Sequence, residues 1–241
     1  MGVLEAEHVC YSYKTKYQKI EAVRDISFVF EEGRMYAVTG ESGSGKSTFL
    51  SLLAGLDLPT QGRIYVDGKD MAQLDRDRYR REQVSVVYQA FHLFPLLTAL
   101  ENVMFPMELR GTKKEEARKT AQMLIGKVGL GEKSFRQFPQ MMSGGEQQRV
   151  AIARAMASGG RVILADEPTG NLDTENEKNI VEILKELAHG GGYTVIVITH
   201  NPEVARDADV VLTLRDGKLV SAMDRAALKN RTKTGEVDSS C

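Results

Sequence analysis

Cysteine is nearly missing from this chain: Cys10 and Cys241, near opposite ends of its 241 residues, are the only two. They supply neither a disulfide framework nor a thiolate metal cluster, which fits a reducing compartment. Long hydrophobic runs are missing as well. The strongest apolar stretches are short, such as Val195 to Ile198, against the ~20 residues that span a bilayer. A membrane role is therefore expected to come through a partner. Residues Met1 to His8 lack the basic-then-apolar pattern of a secretory signal. Nor does one charge dominate: 32 Lys and Arg against 33 Asp and Glu leave a net charge of −1. That balance argues against binding nucleic acid by phosphate neutralisation. The densest basic stretch, Arg76 to Arg81, reads as a solvated helix face. No internal repeat or low-complexity block appears.

What remains is a 42% apolar composition, enough for a substantial core. Short β-branched runs recur, each followed by a turn and a helical pattern. Met35 to Thr39, Val84 to Tyr88, Arg161 to Ala165 and Thr194 to Thr199 read as strands buried on both faces, the mark of a parallel sheet in an α/β fold. The first 30 residues and Arg63 to Val66 read as antiparallel strands. Val210 to Leu214 and Leu219 to Val220 read as a hairpin about Asp216 and Gly217. Strand signals vanish between about 95 and 157. There, helices are expected over Lys113 to Lys127 and Glu146 to Ala157, a helical insertion in the α/β core. The polar tail from about residue 225 is expected to fray.

Gly40 to Ser47, GESGSGKS, fits the phosphate-loop pattern in full, between a strand and a helix. Glycines let the backbone close around phosphate oxygens, and consecutive N–H groups at a helix start make an anion site. Lys46 carries the charge for the β- and γ-phosphates, and Ser47 can ligate Mg²⁺. The strand from Arg161 ends in Asp166 and Glu167, where ligands bind in parallel sheets. Asp166 suits Mg²⁺. Glu167, one residue on, is expected on the other side of the strand, where it can polarise an attacking water. A second anion site, Ser143-Gly144-Gly145, opens the helix at Glu146. One chain needs one phosphate loop, so a second γ-phosphate receptor suggests service to the nucleotide of another subunit. Ser143 and Glu146 also form an S-x-x-E capping box, expected to preset that helix.

The run Met142 to Arg149, MSGGEQQR, resembles the signature of ABC ATPases, and the resemblance extends over about residues 3 to 222. It implies a P-loop NTPase (RecA-like) core with an N-terminal antiparallel β subdomain and an inserted α-helical subdomain at about 90–157. The whole would form one ATPase domain over 1–225, followed by the polar tail 226–241. By position, Gln89 matches the glutamine that links Mg²⁺ and the water to the membrane partner. Asn171-Leu172-Asp173 matches the loop that crosses the dimer interface, and His200 the switch histidine at the γ-phosphate. Tyr13 stands where an aromatic ring meets adenine, with Tyr11 and Tyr17 as rivals. The implied ATP-binding set is Tyr13, Gly40, Ser42, Gly43, Ser44, Gly45, Lys46, Ser47, Thr48, Ser143, Gly144, Gly145 and Asp173. The implied catalytic set is Glu167, His200 and Gln89, with Ser47, Gln89 and Asp166 for the metal.

Three residues depart from the family pattern. Glu41 stands for the usual Pro and Met142 for Leu. Glu146 stands for Gln and brings a charge near the partner's γ-phosphate.

Phe91 to Val103 and Pro168 to Asp173 resemble the lipoprotein-release and macrolide-exporter branch. That implies a homodimer on an integral permease with a large extracytoplasmic domain, on the cytoplasmic face of the membrane, driving export or mechanotransmission. Phe91, Leu93, Phe94, Leu96 and Leu97 are expected to form the groove for the permease's coupling helix. The alternative is a soluble ABC ATPase of translation or DNA maintenance. Such proteins resemble tandem cassettes or carry long coiled coils, and this chain shows neither. A P-loop kinase or GTPase would lack the Ser-Gly-Gly signature.

Overall fold

The computed structural model describes residues 2–14 and 18–225. Tyr17 and the tail 226–241 lie outside the described residues.

In chain order the elements are β1 (Gly2–Lys14), β2 (Lys19–Glu31), β3 (Met35–Thr39), α1 (Lys46–Leu53), β4 (Gln61–Val66), β5 (Lys69–Asp70), α2 (Arg76–Glu82), β6 (Val84–Tyr88), α3 (Ala99–Leu109), α4 (Lys114–Lys127), α5 (Gly144–Ala157), β7 (Val162–Asp166), α6 (Thr174–His189), β8 (Thr194–Ile198), α7 (Pro202–Asp207), β9 (Val210–Arg215) and β10 (Lys218–Asp224). Two sheets form, β2-β1-β4-β5 and β10-β9-β3-β8-β7-β6. The first is antiparallel throughout. In the second, β9, β3, β8, β7 and β6 run parallel, and β10 returns antiparallel along β9.

The continuous apolar runs of the central strands follow from their two buried faces. Met35, Ala37, Ile163, Ala165, Val195 and Val197 point into one hydrophobic cluster with α3, α4, α5 and α6. Their alternates Tyr36, Val38, Val162, Leu164, Ile196 and Ile198 point into a second, with α1 and the antiparallel sheet. Helices α3, α4 and α5 pack on one another between β6 and β7 of the chain, the helical insertion that the missing strand signal foretold.

Some boundaries differ from the sequence reading. Helix α5 begins at Gly144 because Ser143 caps it. Strand β7 is shifted one residue to Val162–Asp166. Thr199 leaves β8, its N–H bonding Val38 O. Helix α6 adds to the elements expected from the sequence: Asp173 caps it, and Ile180, Val181, Leu184, Leu187 and Ala188 form its buried stripe.

Candidate functional site

The parallel strands β3, β7 and β8 end at one cavity of about 520 Å³. It is lined by Tyr13, Gly40, Ser42, Gly43, Gly45, Lys46, Ser47, Thr48, Asp166, Glu167 and His200, together with Ile20 to Ala22 and Ile198. Gly40 and His200, 200 − 40 = 160 positions apart, meet there because β3 lies beside β8, and Asp166 joins them because β8 lies beside β7.

The loop between β3 and α1 has the backbone that its glycines allow. Gly45, at φ 97°, is the N-cap of α1, and a Cβ there would lie 2.2 Å from Ala22 O. Gly40, at φ 151°, passes so close to β9 that a Cβ would lie 2.3 Å from Leu214 O. No side chain caps α1 and no acidic residue sits in its first turn. Its leading N–H groups are therefore free for an anion. Lys46 is buried, and its Nζ donates to Gly40 O and Glu41 O at 2.8 Å each, with Ser44 Oγ at 3.5 Å. The loop thus holds its own cation in the cradle, next to where phosphate oxygens would replace those carbonyls.

Asp166 closes β7. Burial raises its carboxyl pKa, the neighbouring Glu167 charge adds to the rise, and Lys46 and a hydrogen bond with Ser47 oppose it. Glu167 corrects the sequence reading. It is not on the far side of the strand: β7 stops at Asp166, and Glu167 turns into the left-handed region at φ 48°. Both carboxylates therefore line the same cavity. Strand alternation ends at Asp166 and does not extend to Glu167. That backbone is costly for a non-glycine residue. The Glu167 N–H donates to Ile198 O at 3.0 Å, and its Oε1 lies 2.9 Å from His200 Nδ1. His200 itself is 74% exposed, so it is held by this one carboxylate and open to a ligand.

Tyr13, not Tyr11, reaches the cavity; its hydroxyl lies 3.1 Å from Thr48 Oγ1, and the Tyr11 ring packs edge-on at 5.0 Å. Ser44 faces inward and is buried. Gln89 does not line the cavity. Its Nε2 donates to Asn171 Oδ1 at 3.2 Å, and Asn171 Nδ2 donates back to Gln89 O at 3.3 Å.

Ser143, Gly144, Gly145 and Asp173 form a separate face, outside the cavity lining. The capping box is present: Ser143 N donates to Glu146 Oε2 at 2.8 Å, and Glu146 N to Ser143 Oγ at 3.3 Å. Asp173 caps α6 through Asn176 N at 2.9 Å.

The expected five-residue apolar groove is corrected. A groove of about 340 Å³ exists, but of the five only Phe94 lines it, beside Tyr88, Phe105, Pro106 and Leu109. Leu93 packs on the core instead, and Leu96 is 85% exposed. The cause is buried Asn102, whose amide donates to the carbonyls of Phe94, Leu97 and Thr98 and whose Oδ1 accepts from Phe94 N. Arg154 fixes the same loop through Phe91 O and His92 O.

Sequence reading passed over Asn176, Glu177 and Asn201, which join these loops. Asp173 and Asn201 each precede a helix and signal as N-caps. Pairing across the chain carries no local signal.

The family model described as ABC transporter matches residues 23–170. An uncharacterized ABC transporter ATP-binding protein of Bacillus subtilis is 42% identical over 217 residues, covering 90% of this chain and 95% of the relative. A macrolide export ATP-binding/permease protein of Bradyrhizobium diazoefficiens is 42% identical over 222 residues, 91% of this chain but 34% of that longer protein. Among solved structures, the dimeric ATP-binding cassette MJ0796 in a post-hydrolysis state with ADP and Pi superposes with a TM-score of 0.84 at 38% identity, over 92% of this chain and 98% of that one.

Proposed function

This chain belongs to the ABC transporter ATP-binding family, and on that premise we propose that it is the ATP-hydrolysing motor of a transporter, closing as a homodimer around two ATP on a membrane permease. The observation that carries the reading is the division of the anion sites: the Lys46 cavity and the Ser143–Gly145 helix start lie on separate parts of the chain. A second copy, turned head to tail, would bring each signature to the other's γ-phosphate. The cassette to which the chain is similar is dimeric, which supports pairing of two copies.

In the proposed cycle the loop N–H groups and Lys46 bind the triphosphate, and Tyr13 stacks on the base. Among the described residues no cluster of three or more His, Cys, Asp or Glu could hold a metal unaided. Ser47 and Asp166, two hard oxygen donors beside the phosphate cradle, suit Mg²⁺ that arrives with nucleotide. Bound there, it would neutralise phosphate charge, and Gln89, held by Asn171, is proposed as a further oxygen donor for it. Glu167 takes the proton of the attacking water, and His200 orients the γ-phosphate. Catalysis is then positioning and electrostatics without a covalent intermediate. The boundaries proposed are one ATPase domain over 1–225 with its helical subdomain at about 90–157.

Among the described residues no helix is long and apolar enough to cross a membrane. The Phe94 groove, adjoining Gln89 at the end of β6, suits an amphipathic helix of the permease. The macrolide export relative, which by its name joins permease and ATP-binding parts in one protein, favours export through a permease; an extracytoplasmic domain on that permease and a place for this chain on the cytoplasmic face of the membrane are further parts of the proposal. Affinity capture of this chain from detergent-solubilised native membranes tests the partner. A co-purifying permease supports the reading, and recovery with ribosomes or DNA alone overturns it.

The Glu146 departure has its own expected result. Glu146→Gln keeps an oxygen to accept from Ser143 N but removes a charge that would face the partner's γ-phosphate. ATP-driven dimer affinity should rise about 3- to 10-fold, measured by sedimentation in Mg-ATP; equal affinities would sink the charge argument.

A further inference from the structure

The groove beside β6 combines apolar and basic side chains and lacks acidic ones. Leu56, Phe94, Phe105 and Leu109 give it apolar surface, and Arg80, Arg81 and Arg154 line it with them. No Asp or Glu is among the lining residues. Leu56, Phe94 and Leu109 are exposed, so the apolar patch and the arginines share one open surface.

The arginines differ in how far the chain satisfies them. Arg80 donates to Gly55 O and pairs with Asp77. Arg81 is exposed and forms no salt bridge among the described residues. Its neighbours Arg78 and Arg80 take the carboxylates of Glu82 and Asp77. Asp75, which feels the Arg81 charge, accepts instead from Arg78 N at 3.0 Å.

Arg154 is the stronger case. It projects from α5 and donates to His92 O at 2.7 Å and Phe91 O at 3.1 Å, with its guanidinium carbon 5.8 Å from the centre of the Phe94 ring. It has no carboxylate partner among the described residues, and burial holds it below the usual arginine range. Arg34, also partly buried, shows the ordinary solution: Glu31 at 2.9 Å and Asp224 at 2.7 Å both face it. A guanidinium withdrawn from water onto neutral acceptors lacks the opposite charge that offsets its desolvation. Arg81 precedes β6, and the Arg154 guanidinium sits past the end of that strand, at Phe91 O and His92 O. A segment lying along β6 would therefore pass one uncompensated cation at each end.

We propose that the groove takes an acidic partner: an amphipathic helix of the permease whose apolar face meets Phe94 and Leu109 and whose carboxylates meet Arg81 and Arg154. This rests on the permease-driving role argued above and names the chemistry of the segment that docks. Opposed charges of this kind fix which partner is accepted and in which register. A neutral or basic segment would leave Arg154 uncompensated. An anionic lipid headgroup would answer the arginines but not the apolar surface between them.

The full chain is captured from detergent-solubilised native membranes as wild type, Arg81→Glu and Arg81→Lys. Arg81→Glu sets like charges against the docked segment and should retain about 10-fold less permease. Arg81→Lys keeps the charge and should retain permease to within about twofold of wild type. It also supplies an amine, which a carbodiimide joins to a carboxylate in contact with it, whereas an arginine does not react. Mass spectrometry of the linked peptides should connect position 81 to an Asp or Glu of the permease. That link, and not capture by itself, supports the proposal. Equal retention by wild type and Arg81→Glu, loss of the permease from Arg81→Lys, or an intact Arg81→Lys complex with no link from position 81 to the permease would each overturn the acidic docking segment and leave the motor reading standing. A wild-type chain that captures no permease would remove both. Arg81 is exposed, so all three forms should melt within about 2 °C of one another, and a melt beside each capture separates loss of docking from loss of fold.

Discussion

Glu167→Gln should turn this protein into an ATP-trapped dimer. Hydrolysis is expected to fall by about 10²–10⁴-fold, the contribution of a positioned general base, while Mg-ATP affinity stays near wild type. The reason lies in what Glu167 touches. Its carboxylate bonds His200, whereas Lys46 is held by Gly40 O, Glu41 O and Ser44 Oγ, so the bonds of the phosphate cradle survive the change. A glutamine can still take a hydrogen bond from His200 Nδ1, replacing the 2.9 Å contact, but it has no lone pair basic enough to take a proton from water. Binding and closure then proceed and the exit through hydrolysis is blocked. Light scattering on the variant at micromolar protein with Mg-ATP should read the mass of two chains. A monomer would contradict the assignment of Glu167 and the closing scheme together.

Lys46→Ala should fail one step earlier. Lys46 is the buried cation of the cavity, and its Nζ already sits on Gly40 O and Glu41 O at 2.8 Å. Replacing those carbonyls by phosphate oxygens turns a bond between an ammonium and a neutral acceptor into one between opposite charges. Removing a buried partner of such a charge pair costs about 2–5 kcal/mol, or roughly 30- to 5,000-fold in affinity. Stability should change far less, because the loop is also held by Gly217 N to Ser44 O and by Phe49 N to Gly45 O. Calorimetric titration with ATP, beside a thermal melt, separates the two effects. Retained affinity in a folded variant would mean that the phosphate cradle has been misplaced. Lys46→Arg is not a neutral control, since the guanidinium fork cannot occupy the space of a compact ammonium.

The residues of the cavity were legible in the sequence because each sits where an apolar strand stops: Gly40 after β3, Asp166 at the end of β7, His200 just past β8. Parallel sheets gather ligands at those ends, so strand runs and motif chemistry pointed to one place. Glu167 was found but mis-aimed. Period-2 alternation holds only while the strand continues, and the positive φ that ends it at a glutamate has no pattern in the sequence. The groove beside Gln89 failed for a related reason. Five apolar residues close in sequence invited one surface, but Asn102 folds the segment so that Leu93 goes into the core and Leu96 into solvent. Helix α6 was readable from its caps and its buried stripe. The pairings Asn176 to Arg149 and Glu177 to Asn201 were not, because they depend on how α6 lies against α5 and α7.

The account stands on the claim that each nucleotide is held by the cavity of one chain and the signature of another, and mixing two defective variants tests this most directly. Lys46→Ala spoils the cavity and leaves the signature. Gly144→Asp does the reverse: it places a carboxylate at the signature, where an added Cβ meets nothing nearer than Leu172 Cδ2 at 3.4 Å, so the fold has room for it. Each variant alone should be inactive. Mixed in equal amounts, half of the dimers pair the two variants and each has one intact composite site, so ATPase activity should return to about one quarter of wild type. A mixture no more active than its separate components would contradict the shared-site account.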